Sequence, residues 1–139
     1  MKDLNNKVAL LTGASSGIGA VIANLLAQEN VTVIGVARSK SGLNNTKSII
    51  ENLGGEFHGI PFDISQTSKL SELKVQVANA IGEVDILINN AGIEEYNYFQ
   101  DYDLEYIEKI ITVNLIAGME LTRQFLPQML DRGGHIVNI

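Results

Sequence analysis

Thr12-Gly13-Ala14-Ser15-Ser16-Gly17-Ile18-Gly19 decides how this chain is read, because its glycines fall between a short apolar run and a long stretch of helical period. Upstream, Val8-Ala9-Leu10-Leu11 reads as a buried strand that stops at Thr12-Gly13. Downstream, Ile18, Val21, Ile22, Leu25 and Leu26 recur at the spacing of one helical stripe. Glycines in that position permit a tight turn, close approach of backbone to a ligand, and close packing of helix on strand. A helix beginning near Gly17 aims its free N–H groups and positive dipole end at the turn, which suits a pyrophosphate. A P-loop would end in Gly-Lys-Ser or Gly-Lys-Thr, and no lysine is present here.

The same alternation continues along the chain. Val31 to Val36, Glu56 to Phe62, Val84 to Ile88 and His135 to Ile139 read as further strands. Their continuous hydrophobicity predicts burial on both faces, as in a parallel sheet. Leu70, Leu73, Val77 and Ile81 form a second helical stripe; Ile107, Ile110, Ile111, Gly118, Leu121 and Phe125 form a third. Residues 41–53 read as another helix, ended by Gly54-Gly55. Strands alternating with helices predict right-handed βαβ units and an α/β, Rossmann-type doubly wound sheet in a single domain over residues 1–139.

Composition narrows the function. The chain is 45% hydrophobic and 19% charged, enough apolar content for a core. A formal net charge of -6 with scattered Lys and Arg argues against nucleic-acid binding. With no cysteine, disulfides, thiolate metal sites and cysteine nucleophiles are excluded. The polar start, from Met1 to Asn6, lacks the layout of a secretory signal, and no apolar run approaches the ~20 residues of a membrane span. The expectation is a soluble, cytoplasmic protein without membrane partners.

The spacing G-x-x-x-G-x-G, with Thr-Gly in front and Ser15-Ser16 inside, resembles the short-chain dehydrogenase/reductase family. Asp63-Ile64, Asn89-Asn90-Ala91-Gly92, Asn114 within Thr112-Val113-Asn114-Leu115, and Gly134 to Ile139 resemble that family's later motifs in order. The resemblance implies cofactor contacts from Gly13, Ser15, Ser16, Gly17, Ile18 and Gly19. It implies that Asp63 and Ile64 flank the adenine, and that Asn90, Ala91 and Gly92 line the cofactor. Asp63 could instead simply cap the helix after it. The implied strand order is 3-2-1-4-5. Asn114 follows Ile107, Ile110 and Ile111 at helical spacing, which places its amide on their apolar, buried face, where it must find partners. It then reads either as a satisfied core asparagine that bends the helix, or, as the resemblance implies, as that bend plus a water held for proton relay.

In a dinucleotide fold an acid at the end of the second strand binds the ribose 2′-hydroxyl of NAD. Here Val36-Ala37-Arg38-Ser39-Lys40 offers no carboxylate. A guanidinium instead grips a 2′-phosphate through charge-assisted hydrogen bonds, so Arg38 and Ser39 are the expected contacts and NADP(H) is preferred over NAD(H). The alternative is an Arg38 that is merely solvated.

The family's chemistry rests on a serine at the end of strand five and a Tyr-x-x-x-Lys in the next helix, acting on a carbonyl or alcohol substrate. None of the 4 tyrosines has lysine four residues on. Tyr106 and Lys109 read as a solvated helical face, and Glu94-Glu95 as a solvated charge pair or a substrate contact. His58 and His135 lack metal-ligand spacing with acids. Two readings follow: an NADP-dependent oxidoreductase represented by its cofactor-binding portion, truncated after strand five and inactive as given, or a non-catalytic nucleotide-binding remnant. In both, an uncovered apolar strand five invites a homo-oligomer. Self-association through strand five or the Asn114 helix is expected; a strictly monomeric species in sedimentation at high concentration would count against it.

Overall fold

The computed structural model describes residues 4–139. Within the polar start read as lacking a secretory signal, Met1–Asp3 lie outside the described residues. Five strands, β1 (Val8–Thr12), β2 (Thr32–Ala37), β3 (Phe57–Pro61), β4 (Ile86–Asn89) and β5 (His135–Asn138), form one parallel sheet in the order β3-β2-β1-β4-β5. The helices are α1 (Gly17–Gln28), α2 (Lys40–Asn52), α3 (Leu70–Ala80), α4 (Leu104–Ile111) and α5 (Ala117–Arg132), the last two joined by a π turn at Thr112–Ile116. This is the Rossmann-type arrangement and strand order that the sequence implied.

Register explains how one sheet serves two cores. Ile34, Leu10, Leu87 and Ile136 stand in one transverse row, with Ile34 beside Leu10, Leu10 beside Leu87 and Leu87 beside Ile136. This row faces Leu70, Leu73 and Val77 of α3 and Leu121, Phe125 and Met129 of α5. One residue along each strand, Phe57, Val33, Ala9 and Ile86 point the other way, with Ala23 and Ala27 of α1 and Leu43 and Ile50 of α2. Burial on both faces holds for β1, β2 and β4 but not for the edges. β3 is buried only at Phe57 and Ile60, and β5 not at all. An edge strand has a neighbour on one side only, so its apolar residues are less covered.

Two helical stripes differ from the reading. On α1 the buried residues are Gly19, Ala23 and Ala27; of the expected stripe, Ile22 and Leu26 pack partly buried against the core, whereas Ile18, Val21 and Leu25 are exposed. The reason is close approach: a Cβ on Gly19 would lie 2.1 Å from the Gly13 carbonyl oxygen, so the smallest residues must face the sheet. In the third stripe, Val113, Ala117, Leu121, Phe125 and Met129 are buried, while Ile111, Leu115 and Ile116 are exposed. The π turn adds a residue to the helical repeat, shifting the stripe after Ile111 away from its 3.6-residue extrapolation. Of the expected residues only Leu121 and Phe125 are in the core. β5 bonds β4 on one side, and Val137 and Ile139 are exposed.

Gly35 on β2 shows how tightly the sheet is filled beneath the glycine turn. A Cβ there would stand 2.2 Å from Phe57 Cζ and 2.8 Å from Ala14 Cβ. Gly35→Ala is expected to destabilise the fold by ~1–3 kcal/mol through overpacking, read as a lower urea midpoint; an unchanged midpoint would refute this packing.

Candidate functional site

The site begins with one buried hydroxyl. Thr12 ends β1, is 1% exposed, and sits between β2 and β4 where the strand order reverses. Its Oγ1 donates to the Ile88 carbonyl at 3.4 Å and accepts the backbone N–H groups of Asn90 at 3.1 Å and Ala91 at 3.0 Å. Asn90 Nδ2 in turn donates to the Thr12 carbonyl at 2.9 Å. The chain leaving β1 and the chain leaving β4 are thereby fixed to each other. Gly13, at φ +72, then turns with no room to spare, since a Cβ on it would lie 2.8 Å from Asn90 Nδ2 and 3.0 Å from the Ala91 backbone.

The turn delivers the chain to α1 without a side-chain cap. Ser16 occupies the N-cap position but makes no capping hydrogen bond, and the first turn holds no acid. The leading N–H groups of a helix lack intrahelical acceptors, so this end presents donors and a positive dipole to whatever lies in front. In front is a cleft of about 1150 Å³, along the carboxyl ends of the strands.

Nearly all the residues singled out in the sequence meet in the wall of this cleft. Gly13, Ser15, Ser16, Ile18 and Gly19 line it from the turn, and Arg38 and Ser39 from the end of β2. Asp63 and Ile64 line it after β3, Asn90, Ala91 and Gly92 after β4, and Asn114 from the π turn. Gly17 does not reach the wall; with φ +52 and no neighbour within 4 Å of its Cβ position, it shapes the turn rather than the surface.

Local bonding defines what each side chain has left to offer. Ser39 caps α2: its Oγ accepts the Gly42 N–H at 3.1 Å and also lies 3.2 Å from Ser41 Oγ, a contact in which either hydroxyl can donate. Arg38 is exposed, and no described residue forms an ion pair or hydrogen bond with it. Asp63 Oδ1 accepts the Ser65 N–H at 3.0 Å, so it braces its own loop instead of capping a helix.

Asn114 corrects an expectation. Its side chain is not on a buried face but exposed, and it is satisfied by a peptide-like pair of bonds. Oδ1 accepts the Ile93 N–H at 2.8 Å and Nδ2 donates to the Ile93 carbonyl at 2.9 Å. Asn114 lies in the π turn that interrupts the helical repeat at Thr112–Ile116. One N–H and one lone pair remain for a further partner.

Sequence reading missed the contributions of Thr12 and Lys109, while Asn89 was named within its motif. Thr12 was seen only as the front of the turn, although a hydroxyl at the end of a buried strand must find partners. Asn89 Nδ2 donates to Asn138 Oδ1 (2.9 Å) and shares its other hydrogen between Thr122 Oγ1 (3.2 Å) and the Gly118 carbonyl (3.4 Å), tying β4 to α5 and β5. Lys109 was read as a solvated face, yet it lines the cleft with Asn114 and Glu94. In an unbroken α-helix those five residues would put Lys109 and Asn114 about 140° apart, and the intervening π turn alters that relation.

Within the tyrosine cluster, ring stacking and one hydrogen bond hold Tyr102 and Tyr106 in place. Tyr106 stacks on Tyr102 at 5.1 Å between centroids, and Tyr102 donates its hydroxyl to the Glu95 carbonyl. Partial burial, followed by the charges of Glu95, Tyr102 and Glu94, raises the Tyr106 hydroxyl above its ordinary value of 10.0. His58 pairs with Glu56 on the β3 edge, and His135 lies by the opposite ends of the strands, beside Lys7 and Asp85. Among the described residues no group of three or more His, Cys, Asp or Glu could hold a metal ion.

Against known proteins, a family model described as short chain dehydrogenase matches residues 7–139. The chain is similar to the ketoacyl reductase HetN of Nostoc sp. strain PCC 7120, at 50% identity over 100% of this chain and 49% of the relative. It is similar to a fatty acyl-CoA reductase of Acinetobacter baylyi, at 35% identity over 99% of this chain and 48% of the relative. It thus spans about half the length of these curated relatives. Among solved structures, a metagenomic short-chain oxidoreductase in complex with NADP superposes with a TM-score of 0.91, at 34% identity, covering 99% of this chain and 63% of that one. A short-chain dehydrogenase from Streptomyces avermitilis gives 0.86 at 31% identity, covering 99% and 50%.

Removing the Thr12 hydroxyl tests whether it joins the two turns. Thr12→Val keeps the shape but strands the Asn90 and Ala91 N–H groups, so a loss of ~1–3 kcal/mol is expected in urea unfolding. Stability within error of the parent would show that the hydroxyl is dispensable.

Proposed function

This chain belongs to the short-chain dehydrogenase family of oxidoreductases, and from that premise we propose that its cleft holds NADP(H) for hydride transfer to or from a carbonyl or alcohol substrate. The observation that carries the reading is the turn itself: Gly13 and Gly19 leave no space for side chains, and an uncapped helix end faces the cleft. That combination suits a pyrophosphate, which needs close backbone approach and N–H donors. The cleft volume of about 1150 Å³ also exceeds the roughly 300–1,000 Å³ of most small-molecule sites, leaving room for a dinucleotide.

In this reading each residue has a task in holding the cofactor. The backbone from Gly13 to Gly19, with Ser15 and Ser16, receives the pyrophosphate. Arg38 and Ser39 grip the 2′-phosphate, supported by an unpaired guanidinium and by the exposed Ser39 hydroxyl at the start of α2. Asp63 and Ile64 border the adenine, and Asn90, Ala91 and Gly92 line the nicotinamide side. When bound, the nicotinamide supplies or accepts the hydride. Asn114 supplies a spare N–H and lone pair towards a water at that end.

Proton transfer is a separate matter. The 139 residues contain no Tyr-x-x-x-Lys, and the raised Tyr106 hydroxyl is a poor substitute. The preference for NADP(H) draws further support from Ala37 and Arg38 standing where an NAD-binding acid would be expected, and from the NADP complex of the solved relative.

Fluorescence titration with NADPH and NADH is the test. NADPH is expected to bind at least about tenfold more tightly, and Arg38→Ala to remove most of that difference, since a charge-assisted contact contributes ~1.5–3 kcal/mol. Equal affinity for the two would overturn the NADP preference. Failure of both to bind below millimolar would overturn the cofactor site.

A further inference from the structure

The glycine turn is held from a second direction, by α2. Thr46 is 2% exposed, and its Oγ1 lies 3.0 Å from the carbonyl oxygen of Ala14, whose side chain is fully buried. The same hydroxyl lies 3.2 Å from the Gly42 carbonyl one helical turn back. One hydrogen cannot serve both acceptors fully, and the shorter contact is the one that crosses to the turn. Next to it, Gly42 brings the first turn of α2 against Ser15. A Cβ on Gly42 would lie 2.8 Å from both Ser15 Cβ and the Ser15 carbonyl oxygen. That carbonyl is backbone of the turn, so a larger residue could be accommodated only by moving it.

Two consecutive turn residues, Ala14 and Ser15, are therefore seated on α2, while Gly13 lies against the loop after β4 and is crossed by α1 at Gly19. The start of α2 also fixes Ser39, which caps it through Gly42. The segment that carries Arg38 and Ser39 and the segment that faces the pyrophosphate are thus joined by one small helical contact. We propose that Thr46 and Gly42 are positioning residues, setting the turn against Arg38–Ser39 so that both ends of an adenosine 2′-phosphate diphosphate unit are met at once. This inference rests on the NADP(H) reading for its ligand, although the joint itself does not.

An ordinary helical threonine bonding its own i−4 carbonyl would matter only for stability. Three variants separate the two roles: Thr46→Val, which removes the hydroxyl; Thr46→Ser, which keeps it; and Gly42→Ala, which wedges the helix away. Each is titrated with NADPH, and backbone hydrogen exchange over residues 13–19 is measured without nucleotide. Thr46→Val and Gly42→Ala are expected to weaken NADPH binding about fivefold or more and to speed exchange in the turn, with Thr46→Ser restoring both. If Thr46→Val folds, binds NADPH and exchanges as the parent does, the positioning role is overturned. If it fails to fold, the decision rests on Gly42→Ala, with parent-like affinity and exchange overturning the proposal. Should the parent bind no NADPH while the variants still loosen the turn, the joint stands and the cofactor reading falls.

Discussion

Everything at the cleft depends on how closely backbone can pass backbone at the end of β1. The chain turns at Gly13 against Asn90 and is crossed by α1 at Gly19, where a Cβ would lie 2.1 Å from the Gly13 carbonyl oxygen. Such contact is open only to glycine, and it leaves no side chain to screen the first turn of α1. Thr12 holds the arrangement in place from below, since its hydroxyl satisfies two N–H groups that would otherwise be stranded near the core. A turn built this way is rigid where it meets the sheet and bare where it meets the cleft.

The sheet converts that local constraint into a site. β1 lies between β2 and β4, so the chain after β1 and the chain after β4 diverge to opposite faces. A crevice opens at such a switch point, outside the carboxyl ends of the strands. The loops after β1, β2, β3 and β4 all reach its wall. Charge is arranged along it unevenly, with the unpaired Arg38 at the β2 side and Lys109 with Glu94 near Asn114.

The fold was largely legible in sequence, and the reasons differ by element. Continuous apolar runs located every strand, because a parallel sheet buries its central strands on both faces. The Leu70, Leu73 and Val77 stripe was correctly placed, for α3 packs with large residues inward. The α1 stripe was only partly right, with Ile22 and Leu26 against the core, because close contact buries glycine and alanine and leaves Ile18, Val21 and Leu25 exposed. The α4–α5 stripe was misplaced because a π turn cannot be seen in a 3.6-residue period. Site residues were recognisable where backbone geometry demands a residue type, as at Gly13 and Gly19. They were hidden where a side chain acts across the fold, as those of Thr12 and Thr46 do, since the partners lie far away in sequence.

Backbone amide NMR during an NADPH titration tests the central claim most directly. The account predicts the largest shifts at Gly13 to Gly19, at Arg38 and Ser39, and from Asn90 to Gly92, with Lys7, Asp85 and His135 at the far strand ends unmoved. Saturating NADPH that left the glycine turn unshifted, or that perturbed the far ends instead, would contradict it.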